Sequence, residues 1–110
     1  MNGSGKRVIA EFSIVPVGQD STSLSSWVAK AVEAIDGVKG VDYELTPMGT
    51  ILEAESLSDI LRSVEVANEA LFRHGALRTL LTLRVDDRRD RPRSRQDKVT
   101  SVLAKIPAKP

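Results

Sequence analysis

Tyr43-Glu44-Leu45-Thr46-Pro47-Met48-Gly49-Thr50 stands near the middle of this 110-residue chain and predicts a strand, a tight turn and a second strand. Proline and glycine are the strongest local markers of turns, and both fall inside the segment. The same turn brings together two hydroxyl groups and one thioether. That combination suits a small, flat, partly polar ligand, so the hairpin end is a candidate binding site.

The segments on either side of the hairpin follow the periodicities of regular secondary structure. Alternation of apolar side chains predicts strands at residues 8–17, 41–45, 50–55 and 77–85. Apolar residues at three- and four-residue spacing predict helices over residues 24–35 and 57–72, and a short last helix around residues 99–106. This α+β order, β-α-β-β-α-β with a terminal helix, predicts a ferredoxin-like fold. In that fold two helices cover one face of a four-stranded antiparallel sheet.

Polar residues at the helix ends give the start and stop signals. Ser23 is the expected N-cap of the first helix, and Ser56 with Asp59 marks the start of the second. Gly75 closes the second helix, with His74 beside it in a capping role. The apolar stripe of the second helix predicts the following residues on its buried side: Leu57, Ile60, Leu61, Val64, Ala67, Asn68, Leu71 and Phe72.

The composition is that of one ordinary globular domain. Hydrophobic residues make up 41% of the chain, too many for general disorder. The net charge of +1 gives no global field toward nucleic acid or membrane, and no apolar run is long enough to span a bilayer. Cysteine is absent, which excludes disulfides and fits a reducing compartment. We expect a cytoplasmic protein with a flexible N-terminus at residues 1–7, one domain at residues 8–106 and a frayed tail at residues 107–110.

Covering one sheet face with two helices leaves the other face open. Alternation assigns the following residues to this open face: Ile9, Glu11, Ser13, Val15, Thr46, Ile51, Glu53, Leu80, Thr82 and Arg84. Several of them are aliphatic, and an exposed patch of this kind usually contacts a partner, for which a second copy of the chain is the simplest candidate. Glu11 lies in mid-strand, so it must be solvated, paired with Arg84 or used by a ligand.

The residue types that catalysis requires do not assemble into a recognisable motif. His74 is the only histidine, cysteine is absent, and no serine lies in a nucleophile-elbow motif. The sequence has neither a phosphate-binding glycine loop nor an oxygen-rich cation loop. We therefore expect no enzyme activity, no metal and no cofactor, and an enzyme on this scaffold is the weakest of the alternatives.

Residues 86–95, Asp-Asp-Arg-Arg-Asp-Arg-Pro-Arg-Ser-Arg, predict a charged loop with two interpretations. The interleaved signs favour a solvated loop whose charges pair with one another. The alternative is a structural or regulatory oligomer that contacts an acidic partner or nucleic acid through residues 88–95, since arginine binds phosphate bidentately. Nucleic acid is the less favoured partner, because the open face has no aromatic side chain on which a base could stack.

Four segments share the order and spacing of a known family: residues 10–18 (AEFSIVPVG), 43–50 (YELTPMGT), 69–72 (EALF) with Gly75, and 86–90 (DDRRD). Together with the chain length, they resemble the small thiamine-binding protein family, the stand-alone relatives of the YkoF-type proteins. The resemblance covers roughly residues 8–106. Its most specific parts are the hairpin sequence and the Asp-Asp-Arg-Arg-Asp run.

The resemblance implies a ferredoxin-like domain that assembles into dimers or tetramers and binds thiamine or its hydroxymethylpyrimidine moiety without catalysis. It implies that the ligand contacts the following residues: Glu11, Ser13, Thr46, Met48, Gly49 and Thr50. The chemistry is compatible with a flat aminopyrimidine. A carboxylate can accept from the exocyclic amine, hydroxyls can satisfy the remaining polar edge, and a thioether can pack on the ring face.

Overall fold

The computed structural model describes residues 8–91 and 93–108. Within them the elements follow in the order β1 Val8–Pro16, α1 Ser25–Asp36, β2 Val41–Thr46, β3 Gly49–Ala54, α2 Leu57–Arg73, β4 Thr79–Asp87 and α3 Arg95–Leu103. The strands form one antiparallel sheet in the order β2-β3-β1-β4, which confirms the predicted ferredoxin-like fold. The predicted flexible N-terminus at residues 1–7 lies outside the described residues, as do Pro92 and residues 109–110 of the predicted tail.

The hydrophobic core lies between the sheet and the pair α1 and α2. Strand β1 alternates between buried and half-buried residues along its whole length, as its sequence predicts. Its buried side chains, among them Phe12, pack with Leu52 of β3, Ile35 of α1, and Ile60 and Leu71 of α2. Burial of these aliphatic and aromatic groups is the main stabilising contribution, and it fixes the two helices on one face of the sheet.

Helix α1 begins without the predicted cap. Leu24 occupies its N-cap position and makes no side-chain hydrogen bond, so the prediction of Ser23 as the N-cap is wrong. The backbone N–H of Ser23 donates instead to Oγ of Ser21 at 3.0 Å. Serine hydroxyls offer the backbone such local bonds as an alternative to helix capping, and the serine-rich loop uses one here.

Helix α2 begins as predicted, because the backbone N–H of Asp59 donates to Oγ of Ser56 at 3.1 Å. Its buried stripe is narrower than predicted. Leu57, Leu61 and Phe72 were expected to be buried and are exposed. They flank the stripe, where a two-layer domain provides no further layer to cover them. The buried residues of α2 are Ile60, Ser63, Val64, Ala67 and Leu71.

Strand β4 is displaced by two residues from its predicted bounds. It continues to Asp87, because Asp86 and Asp87 pair with Ile9 and Val8 of β1. It begins only at Thr79, so the predicted start at residue 77 is wrong. Cross-strand pairing with β1, and not the local charge pattern, decides where this strand ends.

The register of the sheet confirms the predicted open face in β1, β3 and β4, whereas Thr46, also predicted there, lines a cleft on the helix side. Glu11 lies between Ile51 of β3 and Arg84 of β4, and Ser13 lies beside Thr82. Directly paired residues in an antiparallel sheet point to the same side, so these side chains share the face opposite α1 and α2.

Helix α3 covers part of the open face, which the sequence did not predict. The backbone N–H and Nη1 of Arg95 donate to Oε1 of Glu53 at 3.1 and 2.8 Å, and Nε of Arg95 donates to Glu44 at 3.0 Å. Glu53 is only 5% exposed as a result. The helix is therefore held to the sheet through its first residue.

Candidate functional site

A cleft opens between α1 and the β2–β3 hairpin, on the helix side of the sheet. Its volume is about 310 Å³, at the lower end of the range for small-molecule sites. Residues 12–15 of β1 form its floor and residues 45–50 of the hairpin form one wall. The opposite wall consists of Leu24 and, from α1, Val28, Ala31 and Val32. An apolar cleft with a few polar groups is the usual form of a small-ligand site.

The cleft brings together the four predicted site residues of the hairpin, Thr46, Met48, Gly49 and Thr50. Ser13 belongs to its floor, but its side chain projects to the open face, and Glu11 is absent from the lining. Neither the wall from α1 nor Leu45 was predicted as part of the site. Their signal was present in the sequence, because Leu24, Val28 and Val32 belong to the apolar stripe of the first helix.

Thr46 holds the turn in shape. Its hydroxyl donates to the backbone oxygen of Gly49 at 2.8 Å and accepts from the backbone N–H of Gly49 at 3.1 Å. A hydroxyl that satisfies the backbone of a tight turn in this way fixes the hairpin end. Thr46 therefore positions the wall of the cleft, and its hydroxyl is already engaged.

Gly49 allows the hairpin to lie close against β1. A Cβ atom at this position would stand 3.0 Å from the backbone oxygen of Phe12, closer than side-chain carbons normally approach. Any larger residue would push the turn away from the cleft floor. Met48, at the tip, is 85% exposed, so its thioether is free to move over the mouth of the cleft.

Thr50 contributes one of the few polar side chains of the cleft. It pairs with Phe12 and Leu45 on the helix side of the sheet, and the residue as a whole is only 5% exposed. Within the described residues its hydroxyl is not one of the buried polar atoms that lack a partner, so it keeps access to the cleft. A hydroxyl that reaches an otherwise apolar cleft can hydrogen-bond a ligand there.

Glu11 lies on the other side of the sheet. It borders a second, shallow cavity of about 500 Å³ on the open face, together with Arg84, Asp86 and Lys98. Oε1 of Glu11 accepts from Nη2 of Arg84 at 3.1 Å. The structure thus shows the Glu11–Arg84 pair that the sequence offered as one possibility. It does not bring the Glu11 carboxylate together with Thr50.

The arginine-rich loop pairs its own charges. Arg88 contacts Asp90, and Nη2 of Arg89 lies 2.9 Å from Oδ2 of Asp87. The hydrogen bond from Arg88 lowers the pKa of Asp90 to about 2. Both arginines have their pKa raised, chiefly by hydrogen bonds to these carboxylates. These contacts favour the interpretation of a loop whose charges pair with one another over that of a loop that binds an acidic partner.

A capping box completes the N-terminus of α3. The backbone N–H of Asp97 donates to Oγ of Ser94, and the backbone N–H of Ser94 donates to Oδ2 of Asp97, both at 3.0 Å. The bond from the Ser94 backbone, reinforced by its hydroxyl, lowers the pKa of Asp97. Both residues thus satisfy backbone donors that would otherwise lack partners.

Acid is expected to loosen α3 because of this box. A carboxyl whose pKa is lower in the folded state stabilises the fold fully above its unfolded pKa, which is about 3.9 for Asp. The stabilisation is lost as the pH falls through the lowered pKa of Asp97. Amide exchange within α3, followed between pH 5 and 2, should show the loss, and Asp97→Ala should remove this pH dependence. An unchanged profile in Asp97→Ala would contradict the assignment.

The described residues contain neither a metal-binding cluster nor a membrane-spanning helix. Across residues 8–91 and 93–108, no three His, Cys, Asp or Glu side chains are grouped so that they could hold a metal ion. In the same part of the chain, no helix combines the length and apolar character needed to cross a membrane.

Fold and cleft together define the class: a single-domain ferredoxin-like protein with an apolar cleft beneath its central hairpin. The chain belongs to the thiamine-binding protein family, whose model matches residues 10–103. The family resemblance of the sequence is thereby confirmed. The description of that family is one of binding and not of catalysis.

Relatives and solved structures agree with this placement. A UPF0045 protein of Methanothermobacter thermautotrophicus is 48% identical over 90% of this chain and 99% of its own length. A hypothetical protein of Methanocaldococcus jannascii superimposes with a TM-score of 0.75 at 31% identity, covering 87% of this chain and 95% of its own. A Thermotoga maritima protein described as a candidate for thiamine biosynthesis or salvage superimposes with a TM-score of 0.69 at 26% identity. The match covers 86% of this chain and 97% of that protein.

Proposed function

We propose that this protein binds thiamine or its hydroxymethylpyrimidine moiety in the cleft between α1 and the hairpin, without turning the ligand over. Membership of the thiamine-binding family supports the ligand class. The Thermotoga maritima relative, described as a candidate thiamine biosynthesis or salvage protein, supports it independently. The observation that carries the placement is the apolar cleft itself, with the Thr50 side chain among its few polar groups.

The cleft suits an aminopyrimidine ring. The aliphatic wall of α1 can pack on one face of the ring, and the mobile thioether of Met48 can close over it. The Thr50 hydroxyl can donate to a ring nitrogen or accept from the exocyclic amine. The Ser13 side chain projects to the open face, so backbone groups of the cleft lining would satisfy the remaining polar edge of the ligand.

The same proposal includes a cytoplasmic homo-oligomer, a dimer or a tetramer. Exposed aliphatic side chains support self-association, since Leu80 is 63% exposed in the single chain. Patches of exposed apolar groups usually mark a contact with another chain. The cysteine-free composition is compatible with a reducing compartment.

Isothermal titration with thiamine and with hydroxymethylpyrimidine tests the ligand directly. We expect saturable binding of at least one of them. The absence of heat with both ligands at millimolar concentration would remove the proposal. Incubation with thiamine followed by mass spectrometry should recover the ligand unchanged, and a product would contradict the non-catalytic part.

Glu11→Gln separates the two candidate positions of the ligand. Because the Glu11 carboxylate lies on the open face, beside Arg84, this substitution should leave the affinity of a ligand in the cleft unchanged. A weakened affinity with intact assembly would instead place the ligand near Glu11. The role first predicted for Glu11 in binding the amine would then be correct.

A further inference from the structure

Strand β4 forms one outer edge of the sheet, and no described residue pairs with its outer side. It is nine residues long, and its first five residues, 79–83, carry no charge. The opposite edge, β2, is six residues long and carries Asp42 and Glu44. Long, uncharged edge strands readily pair with another strand, whereas charges and shortness protect an edge. The edge of β4 is therefore the less protected of the two.

Both faces of the sheet next to this edge are apolar and exposed. Leu80 projects on the open face, and Leu81 and Val85 project on the helix side, where α2 covers them only in part. A strand that paired with β4 would bury these side chains against its own. The exposed backbone and the exposed side chains thus point to the same occupant, another β-strand with apolar residues on both faces.

We propose that β4 pairs antiparallel with β4 of a second copy, about a two-fold axis that passes through Thr82. The proposal rests on the homo-oligomer proposed above and names its contact surface. An antiparallel pair of identical strands is self-complementary, which is what a two-fold interface requires. The product is a continuous eight-stranded sheet.

Cross-strand charges select this register. With the axis at Thr82, the two threonines face each other, Leu81 lies opposite the partner's Leu83, and Arg78 lies opposite the partner's Asp86. Opposite charges and threonine pairs stabilise an antiparallel ladder, and like charges directly opposite destabilise it.

The neighbouring registers each bring like charges together. An axis at Leu81 would place Arg78 opposite the partner's Arg84. An axis at residue 84 would place two copies of Arg84 face to face, and an axis at Leu83 would place Arg78 opposite the partner's Arg88. Of the axes at Leu81, Thr82 and Leu83, the one at Thr82 alone pairs Arg78 with a carboxylate.

Single cysteines test the register, because the natural chain has none. Thr82→Cys would face its own copy, with Cβ atoms roughly 4.5–5.5 Å apart, close enough for a disulfide after a small adjustment. Arg84→Cys is the matched control on the same strand and face. Its copy would stand four residues along the partner strand, about 13 Å away. We expect rapid formation of a covalent dimer in Thr82→Cys and none in Arg84→Cys.

Sedimentation of the unmodified protein measures its oligomeric state alongside the cross-linking. Each combined outcome supports or overturns the pairing of β4 with its copy. An oligomer in solution with selective cross-linking at position 82 supports the edge pairing. An oligomer without that cross-link, or with equal cross-linking at position 84, overturns it and leaves the proposed assembly intact. A monomer overturns both, whereas titration with thiamine tests the ligand proposal separately.

A charge reversal provides a test that needs no oxidation. Arg78→Glu would place two pairs of like charges across the axis, and we expect the dimer dissociation constant to rise about tenfold. Arg73→Glu makes an equal charge change on α2, away from this edge, and should leave the dimer dissociation constant unchanged. Equal effects from both substitutions, or none from Arg78→Glu, would overturn the register.

Discussion

Glu53→Ala is expected to release α3 from the sheet while the rest of the domain stays folded. Glu53 accepts from the backbone N–H and the guanidinium of Arg95 and is almost completely buried. Removing one partner of a buried ion pair costs about 3–5 kcal/mol. Arg95 retains its contact with Glu44 and some contact with solvent, so we expect a smaller loss of about 2 kcal/mol in the free energy that holds α3 to the sheet. This loss corresponds to an increase of about thirtyfold in the equilibrium constant for opening of α3.

The released helix should unfold, because a nine-residue helix is marginal in water on its own. Its three aliphatic side chains, Val99, Val102 and Leu103, are all exposed and add little to its attachment. Hydrogen exchange should therefore rise throughout residues 95–103 and stay unchanged in β1.

Glu44→Ala is the matched control for this experiment. The Glu44 carboxylate contacts the same guanidinium at 3.0 Å but is exposed to solvent. Exposed pairs contribute about 0–1 kcal/mol, so this substitution should leave α3 protected. If Glu53→Ala also left α3 protected, the attachment of α3 would have to reside in other contacts, such as that between Lys98 and Asp86.

Local patterns were sufficient to predict the elements of the fold. The alternation of β1, the Pro-Met-Gly turn and the Ser56–Asp59 cap are each written within a few consecutive residues, and each was confirmed. The start of α1 was mispredicted because several serines compete for the same backbone groups, and only the folded loop decides among them.

Contacts between distant segments could not be predicted. Glu53 was placed correctly on the open face, but its partner Arg95 is 42 positions away and reaches it only because α3 folds back across the sheet. The cleft presents the opposite case. Alternation already places Thr50 on the same face as Leu52, opposite Ile51 and Glu53. The family resemblance grouped Thr50 with Glu11, although alternation places their side chains on opposite faces of the sheet.

Thr50→Val is expected to weaken ligand binding while the fold of the free protein stays intact. Valine has nearly the shape of threonine and suits a strand, so the cleft should keep its form. A lost hydrogen bond costs about 0.5–1.5 kcal/mol net, which corresponds to roughly two- to twelvefold weaker binding. Titration of thiamine or hydroxymethylpyrimidine into wild type and variant measures this change.

The stability of the free variant distinguishes a ligand contact from a structural role. The Thr50 side chain lines the cleft, and no hydrogen bond of its hydroxyl holds the fold within the described residues, so replacement by a methyl group should change the free energy of unfolding by about 0.5 kcal/mol or less. Thr50→Ser, which keeps the hydroxyl, should retain most of the affinity. Thr100→Val, the same change on α3 and away from the cleft, should alter neither quantity.

A variant that keeps the stability of the wild type and binds the ligand more weakly would show that the Thr50 hydroxyl serves the ligand and not the fold. If Thr50→Val instead lowered the melting temperature, the hydroxyl would be serving the fold. Unchanged affinity would show that the ligand does not reach the floor of this cleft.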